Sequence, residues 1–209
     1  MQSADNYCIK DDYTPHSNPA MVKFFDDHSD HFGGDSVNSC AMYAYARQLA
    51  QSCGYKRILD VGCGTGRRIA KYFYDFETVG YDVTRIINFA NQYYPTRLWR
   101  VCDFQQPVLE EFDLVICINL IHHLHQPNDL MQWLSQIKCK KILLSTCDRE
   151  EFERMRMRLD LGPPRSEYNF REWSFSELAQ YVGRWFKIEQ QFYSKPKFNQ
   201  IIVCTAKVI

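Results

Sequence analysis

The stretch Asp60-Val61-Gly62-Cys63-Gly64-Thr65-Gly66 concentrates backbone freedom beside an acid. It follows a short apolar run, Lys56 to Val61, that reads as a strand, and it precedes Arg67 to Phe76, which reads as a helix. Glycines let the chain turn sharply and let a ligand approach main-chain N–H groups with no Cβ in the way. A dinucleotide fingerprint would place its third glycine at position 67, but Arg67 stands there. The spacing is instead GxGxG with an acid two residues ahead. Asp82, followed by Val83, ends the next strand-like run 22 residues past Asp60, where a carboxylate can accept hydrogen bonds from both hydroxyls of a ribose. Asp103-Phe104 ends the third, offering an acceptor for an exocyclic amine and an aromatic face for adenine. Three acids along one edge repel a pyrophosphate and attract a ligand that carries a sulfonium and an α-amino group.

The elements that position these residues alternate. Strand-like runs at Lys56 to Val61, Thr78 to Asp82, Thr96 to Asp103, Asp113 to Asn119 and Lys141 to Thr146 are separated by helix-like stretches. The helices fall at Arg67 to Phe76, Thr84 to Tyr94 and Asn128 to Ile137. This pattern predicts an α/β fold, a Rossmann-like doubly wound parallel sheet with helices on both faces. Ser174 and Glu177 form a capping-box pattern for a helix to about Gly183, and two strand-like runs, Trp185 to Tyr193 and Asn199 to Val208, follow with only Pro196 and its neighbours between them. The sheet is therefore expected to finish with an antiparallel hairpin. Ahead of the first strand, Ala20 to Phe25 and Ser39 to Gln51 are expected helices that cover the crevice as a lid. The organisation expected is one domain over 1–209: a lid over 1–55, a cofactor-binding core over 56–148, and a substrate segment, helix and hairpin over 149–209.

With ILDVGCGTG at 58 to 66, Asp82, Asp103-Phe104 and FDLVICINLIHHL at 112 to 124 in this order, the sequence resembles the class I S-adenosylmethionine-dependent methyltransferases. The resemblance covers about residues 56 to 147, and it implies a seven-stranded sheet of order 3-2-1-4-5-7-6. It further implies S-adenosylmethionine as cofactor and S-adenosylhomocysteine as product. Asp60, Gly62, Cys63, Gly64 and Gly66 would hold the methionine moiety, Asp82 with Val83 the ribose, Asp103 with Phe104 the adenine, and Asn119 the region near the sulfur.

Methyl transfer from a sulfonium needs mainly a nucleophile held close and water excluded, but an alcohol acceptor gains from a base. His122, His123 and His125 follow the fourth strand, and His122 is the expected base because residues past a parallel strand face the crevice. Asp148, past the fifth strand, is expected to accept from that imidazole and fix its tautomer. Some sugar O-methyltransferases of the family resemble this arrangement. The candidate acceptor contacts are His28, His123, Tyr168, Arg171 and Trp173, with His123 also turned inward to tie down its own loop. Tyr168 and Trp173 belong to the segment LGPPRSEYNFREW, whose aromatic faces suit the C–H side of a sugar ring. No metal is expected, since only Glu150 and Glu151 accompany Asp148 closely.

The reading is an O-methyltransferase acting on a hydroxyl of a sugar, in a glycan or glycosylated metabolite such as one bearing a deoxysugar. Alternatives are N- or C-methylation of a small metabolite, an NAD-dependent oxidoreductase, and a partner that binds the cofactor without chemistry. Lys plus Arg and Asp plus Glu are 25 each, so no excess positive charge exists to draw a nucleic acid. Nine cysteines, an odd number with no CxxC, read as reduced thiols of a cytoplasmic chain. The longest apolar run, Leu114 to Ile121, is too short to span a membrane. Monomer and homodimer are both compatible with the sequence.

Overall fold

The computed structural model describes residues 37–150, 164, 169–194 and 199–207, with side chains from Cys40 onward. In chain order these form α1 (Val37–Ser52), β1 (Arg57–Val61), α2 (Arg67–Tyr72), β2 (Glu77–Asp82), α3 (Thr84–Tyr93), β3 (Leu98–Val101) and β4 (Phe112–Ile118). A 3-10 turn (Ile121–His123), α4 (Pro127–Gln136), β5 (Cys139–Cys147), α5 (Phe175–Gly183), β6 (Phe186–Tyr193) and β7 (Asn199–Ala206) complete them. The strands make one seven-stranded sheet in the expected order β3-β2-β1-β4-β5-β7-β6. β1 to β5 pair in parallel, and β7 runs antiparallel to both β5 and β6. The chain leaves β1 toward β2 and β3 and returns on its other side as β4. The crevice at the carboxyl ends of β1 and β4 is thus the topological switch point, where open α/β sheets bind ligands.

Strand periodicity sorts the two faces. Ile58, Leu114, Ile116 and Ile118 pack on one side with Met42, Tyr43, Ala46 and Ala50 of α1. Leu59, Val61, Val115 and Cys117 pack on the other with Leu130 and Leu134 of α4 and Leu178 and Val182 of α5. The helix expected over Ser39 to Gln51 therefore forms, but as a core layer and not as a lid. Its apolar stripe is buried on the sheet, and each large side chain so buried stabilises by about 1.5–3 kcal/mol, which holds the helix down. The Ala20 to Phe25 helix lies outside the described residues.

Local signals account for most boundaries. Pro127 opens α4 in its first turn, where the missing N–H costs nothing. The capping box at α5 is complete: Glu177 N–H donates to Ser174 Oγ, and Ser174 N–H donates to Glu177 Oε2 at 2.8 Å. Two elements are four residues shorter than the sequence suggests, and others are shorter by one or two. The strand expected to reach Asp103 stops at Val101, because its ladder partner β2 ends at Asp82, paired with Val101. The helix expected to reach Phe76 stops at Tyr72, and Phe73 and Phe76 pack edge to face at 5.3 Å in the turn that follows.

Candidate active site

Strand alternation places Asp60 on the same face of β1 as Ile58, toward α1. There it is almost fully buried, and its Oδ2 accepts from the Tyr43 hydroxyl at 2.7 Å. Its Oδ1 is buried with no hydrogen-bond partner among the described residues. Burial pushes the carboxyl up to about 7, assisted by the charge of Asp82 and opposed by the Tyr43 hydrogen bond and the charge of Arg68.

The turn after Asp60 faces mostly inward. Gly62 and Cys63 N–H groups both donate to the Tyr81 carbonyl, at 2.8 and 3.1 Å. Cys63 is buried with Ile69, Ile87, Ala90 and Trp99, and burial pushes its thiol well up, so it is an inert packing group. This revises its expected place among the cofactor contacts, because both its side chain and its N–H are engaged away from the crevice. Gly62, at φ 78°, abuts Leu120: a Cβ there would meet that side chain at 3.1 Å, so the segment after β4 lies against the turn. Gly64, at φ 56°, would point a Cβ into open space. Among the described residues its face is therefore uncovered.

Asp82 organises the same turn, accepting from Gly64 N–H at 2.8 Å through Oδ2 and from Val83 N–H at 2.7 Å through Oδ1. Those bonds pull its carboxyl down, but burial outweighs them and holds it at about 6. Each oxygen retains a further lone pair for a ribose hydroxyl. Val83 itself is 55% exposed beyond it. Asp103 is exposed, its Oδ1 accepting from Gln105 N–H, and Phe104 packs at 5.5 Å against Trp133. Trp133 also meets Tyr81 edge-on and donates to the Gln106 carbonyl at 2.7 Å, which fixes the loop that carries Asp103 and Phe104.

Asn119, just past β4, is the only non-glycine residue with positive φ among the described residues, at 57°. Its N–H donates to the Ser145 carbonyl at 3.1 Å, which continues the β4–β5 ladder, and its Oδ1 is buried with no partner among the described residues. A left-handed asparagine is tolerated where its side chain is needed locally. Two orphaned acceptors thus stand at the carboxyl ends of adjacent strands, Asp60 Oδ1 near the end of β1 and Asn119 Oδ1 just past β4, with Asp82 a second raised carboxylate near Asp60. Leaving such atoms unmet is costly, and a ligand bearing an ammonium group would meet them. The donor set fits S-adenosylmethionine, which combines an α-ammonium, a sulfonium and a ribose.

The acceptor side departs further from expectation. The 3-10 turn folds back over β5, so His122 is 6% exposed and its Nδ1 lies 2.9 Å from Thr146 Oγ1. The expected partner Asp148 is fully buried one step further along the same strand face and accepts from the Tyr193 hydroxyl at 3.4 Å. A His122–Asp148 dyad is therefore not formed; Thr146 takes that place. Burial, with the neighbouring His123, drives the His122 imidazole well below its ordinary value. His123 is half-buried, its ring 4.0 Å from that of His122, and its N–H donates to the Leu120 carbonyl, which ties its loop inward.

The His122 carbonyl accepts from Phe170 and Arg171 N–H groups, which strap the 169–173 segment to the turn. Arg171 is buried there. Trp173, expected to face a sugar, is 1% exposed, its ring tilted against that of Tyr181 at 5.5 Å, with its carbonyl held by Arg149 N–H and Gln200 Nε2. It is a core residue, because the short parallel bridge to Asp148 draws its backbone onto the sheet. His28 and Tyr168 lie outside the described residues. Among the described residues no cluster of three or more His, Cys, Asp or Glu side chains is placed to hold a metal, and no helix is long and apolar enough to cross a membrane. Tyr43 and Thr146 escaped the sequence reading. Tyr43 reads as one more apolar helix position, and Thr146 as the end of a strand.

Comparison with known proteins agrees with the fold. The chain resembles the PH0226 protein of Pyrococcus horikoshii OT3 at 18% identity and a TM-score of 0.69, over 88% of this chain and 99% of that one. Magnesium protoporphyrin IX methyltransferase from Synechocystis PCC 6803, solved with bound SAH, is 14% identical with a TM-score of 0.68, over 90% and 99% of the two chains. A TehB-like SAM-dependent methyltransferase from Corynebacterium glutamicum ATCC 13032 Kitasato is 16% identical with a TM-score of 0.60, over 93% and 100%. No curated protein matches the sequence. Residues 40–194, from α1 to the end of the described part of the hairpin's first arm, match the methyltransferase domain family, and the chain belongs to it.

Proposed function

We propose that this methyltransferase uses S-adenosylmethionine to methylate a hydroxyl of a sugar, free, in a glycan or in a glycosylated metabolite, with His122 as the general base. The observation that carries the donor half is the pair of buried acceptors without partners, Asp60 Oδ1 and Asn119 Oδ1. Asp60 and Asn119 receive the ammonium group, Asp82 the ribose hydroxyls, and Phe104 with Asp103 the adenine. Bound there, the cofactor supplies a methyl group on a positively charged sulfur that is a good leaving group.

The base assignment rests on the imidazole. Burial keeps His122 in its neutral form, the form that can take a proton from an alcohol. His122 Nδ1 lies 2.9 Å from Thr146 Oγ1, a contact in which either atom can donate; the base role requires the tautomer in which Nδ1–H donates to the threonine oxygen and the lone pair falls on Nε2. Asn169, Arg171 and Glu172 of the segment strapped to the His122 turn are buried, and they carry groups of the kind that hold hydroxyls.

The test supplies trideuteromethyl-labelled S-adenosylmethionine with a panel of glycosides, amines and carboxylic acids and reads the products by mass spectrometry. Label in an alkali-stable ether on a sugar is the expected result. Label in an ester or an amine overturns the acceptor class, and a His122→Ala variant with unchanged kcat overturns the base.

A further inference from the structure

We propose that Tyr43 of α1 is a positioning residue for the donor, holding one oxygen of Asp60 so that the other is presented to the ligand's ammonium group. This rests on the donor reading of the crevice given above.

The geometry separates the two oxygens of one carboxylate. Oδ2 takes the Tyr43 hydroxyl at 2.7 Å, while Oδ1 has no partner among the described residues. A carboxylate free to rotate would exchange its two oxygens; one pinned at Oδ2 leaves Oδ1 as the oxygen available to a ligand. Tyr43 suits this work because it stays a donor. Burial and the adjacent Asp60 push its phenol well above its ordinary value, so its proton remains in place. Its ring is fixed independently by the Tyr72 ring at 6.1 Å and the Arg68 guanidinium at 5.7 Å from its centroid.

Beside burial, three groups set the charge of Asp60: Tyr43 on α1, Arg68 on α2 and Asp82 on β2; the thiols of Cys63 in the turn and Cys117 on β4 also face it, and its charge helps to keep them protonated. Tyr43 and Arg68 favour the carboxylate, and Asp82 opposes it. Removing the phenol hydrogen bond therefore favours the protonated acid, which cannot hold a cation. Asp60 takes up its proton as the pH falls, so donor affinity declines on the acid side, and loss of Tyr43 moves that decline to higher pH.

Tyr43→Phe keeps the ring and deletes only the hydroxyl. The probes are S-adenosylhomocysteine, which carries the ammonium, and methylthioadenosine, which lacks the whole amino-acid arm, both titrated calorimetrically from pH 5.5 to 8. The variant is expected to bind S-adenosylhomocysteine about tenfold more weakly at pH 7, with the acid-side midpoint displaced upward and methylthioadenosine affinity within about twofold of wild type. The 13C carboxyl resonance of Asp60 in ligand-free protein, identified by its loss in Asp60→Asn, should titrate at higher pH in the variant. Equal losses for both ligands, or an unmoved midpoint and resonance, overturn the role of Tyr43. A wild-type protein that binds neither ligand overturns the donor reading itself. A Tyr43→Phe effect that persists undiminished in the Asp60→Asn background marks a packing effect and also overturns the proposal.

Discussion

The six-membered ring of the Trp99 indole is seated against Gly66: a Cβ built on that glycine would fall 2.3 Å from its Cη2. Gly66 is also at φ 79°, so a side chain there is opposed by backbone and by packing together. Gly64 is at φ 56° but would direct a Cβ into open space. Gly66→Ala should therefore lose about 3 kcal/mol or more of stability, or yield no folded protein. Gly64→Ala should lose about 1–2 kcal/mol, yet place a methyl on the ligand side and weaken S-adenosylhomocysteine binding disproportionately. Chemical denaturation and calorimetry on the two variants check this; equal effects on both properties would show that the face of Gly64 is not the ligand side.

Asp60 should cost the free protein stability at neutral pH. Its carboxyl stands at about 7 in the fold against an ordinary 3.8 in the unfolded chain, so over that window the folded state holds the extra proton. Stability associated with that proton is full below the unfolded value and is lost as the pH rises through about 7. Asp60→Asn, which keeps an acceptor for Tyr43, is expected to be more stable than wild type at pH 8 by on the order of 2 kcal/mol. The difference should vanish near pH 4, and the variant should bind donor poorly. Thermal midpoints across that range decide it.

Thr146→Val preserves shape and removes the oxygen that meets His122 Nδ1 at 2.9 Å. If that contact orients the base, kcat should fall about tenfold or more while S-adenosylhomocysteine affinity stays as in wild type. Because burial holds the imidazole far below its ordinary 6.5, kcat should show no break near that pH. A break there, or an unchanged kcat in the variant, would remove His122 from the mechanism.

Trp173 is packed in the core beside Tyr181 and does not face the crevice. Trp173→Ala is expected to cost about 3–5 kcal/mol, and Trp173→Phe markedly less. In Trp173→Phe, KM for the methyl acceptor should remain at the wild-type value, as measured by initial rates on folded protein.

The parallel α/β sheet with its closing hairpin, and the convergence of Asp60 and Asp82 at one sheet edge, were legible because they depend on local patterns, while the strand order followed from the family resemblance. Short apolar runs alternate with amphipathic stretches, and the acid at the tip of one strand sits near the acid at the tip of the next whenever the sheet is parallel, as with Asp60 and Asp82. The acceptor side was not legible. Whether His122 meets Asp148 or Thr146 depends on how far a three-residue turn folds back over β5, and residues 146 and 148 share one strand face, so spacing does not choose between them. Tyr43 was equally hidden: its spacing with Met42, Ala46 and Ala50 marks a buried helix stripe, and its hydroxyl lies in that stripe. The loss of Trp173 from the acceptor wall follows from a single bridge to Asp148 that only the assembled sheet reveals.

The insertion of β7 between β5 and β6 has a bearing on biosynthesis. From Ile142 to Cys147 every residue of β5 is buried, and on one side its ladder is completed by a strand that starts only at Asn199. A ribosome that has released everything through α5 still holds a nascent chain in which this strand has a raw, sticky border, open to any neighbouring polypeptide. Stalled or prematurely terminated products ending before residue 199 should therefore clump or recruit chaperones, whereas the same sequence lengthened by the final strand closes its own seam.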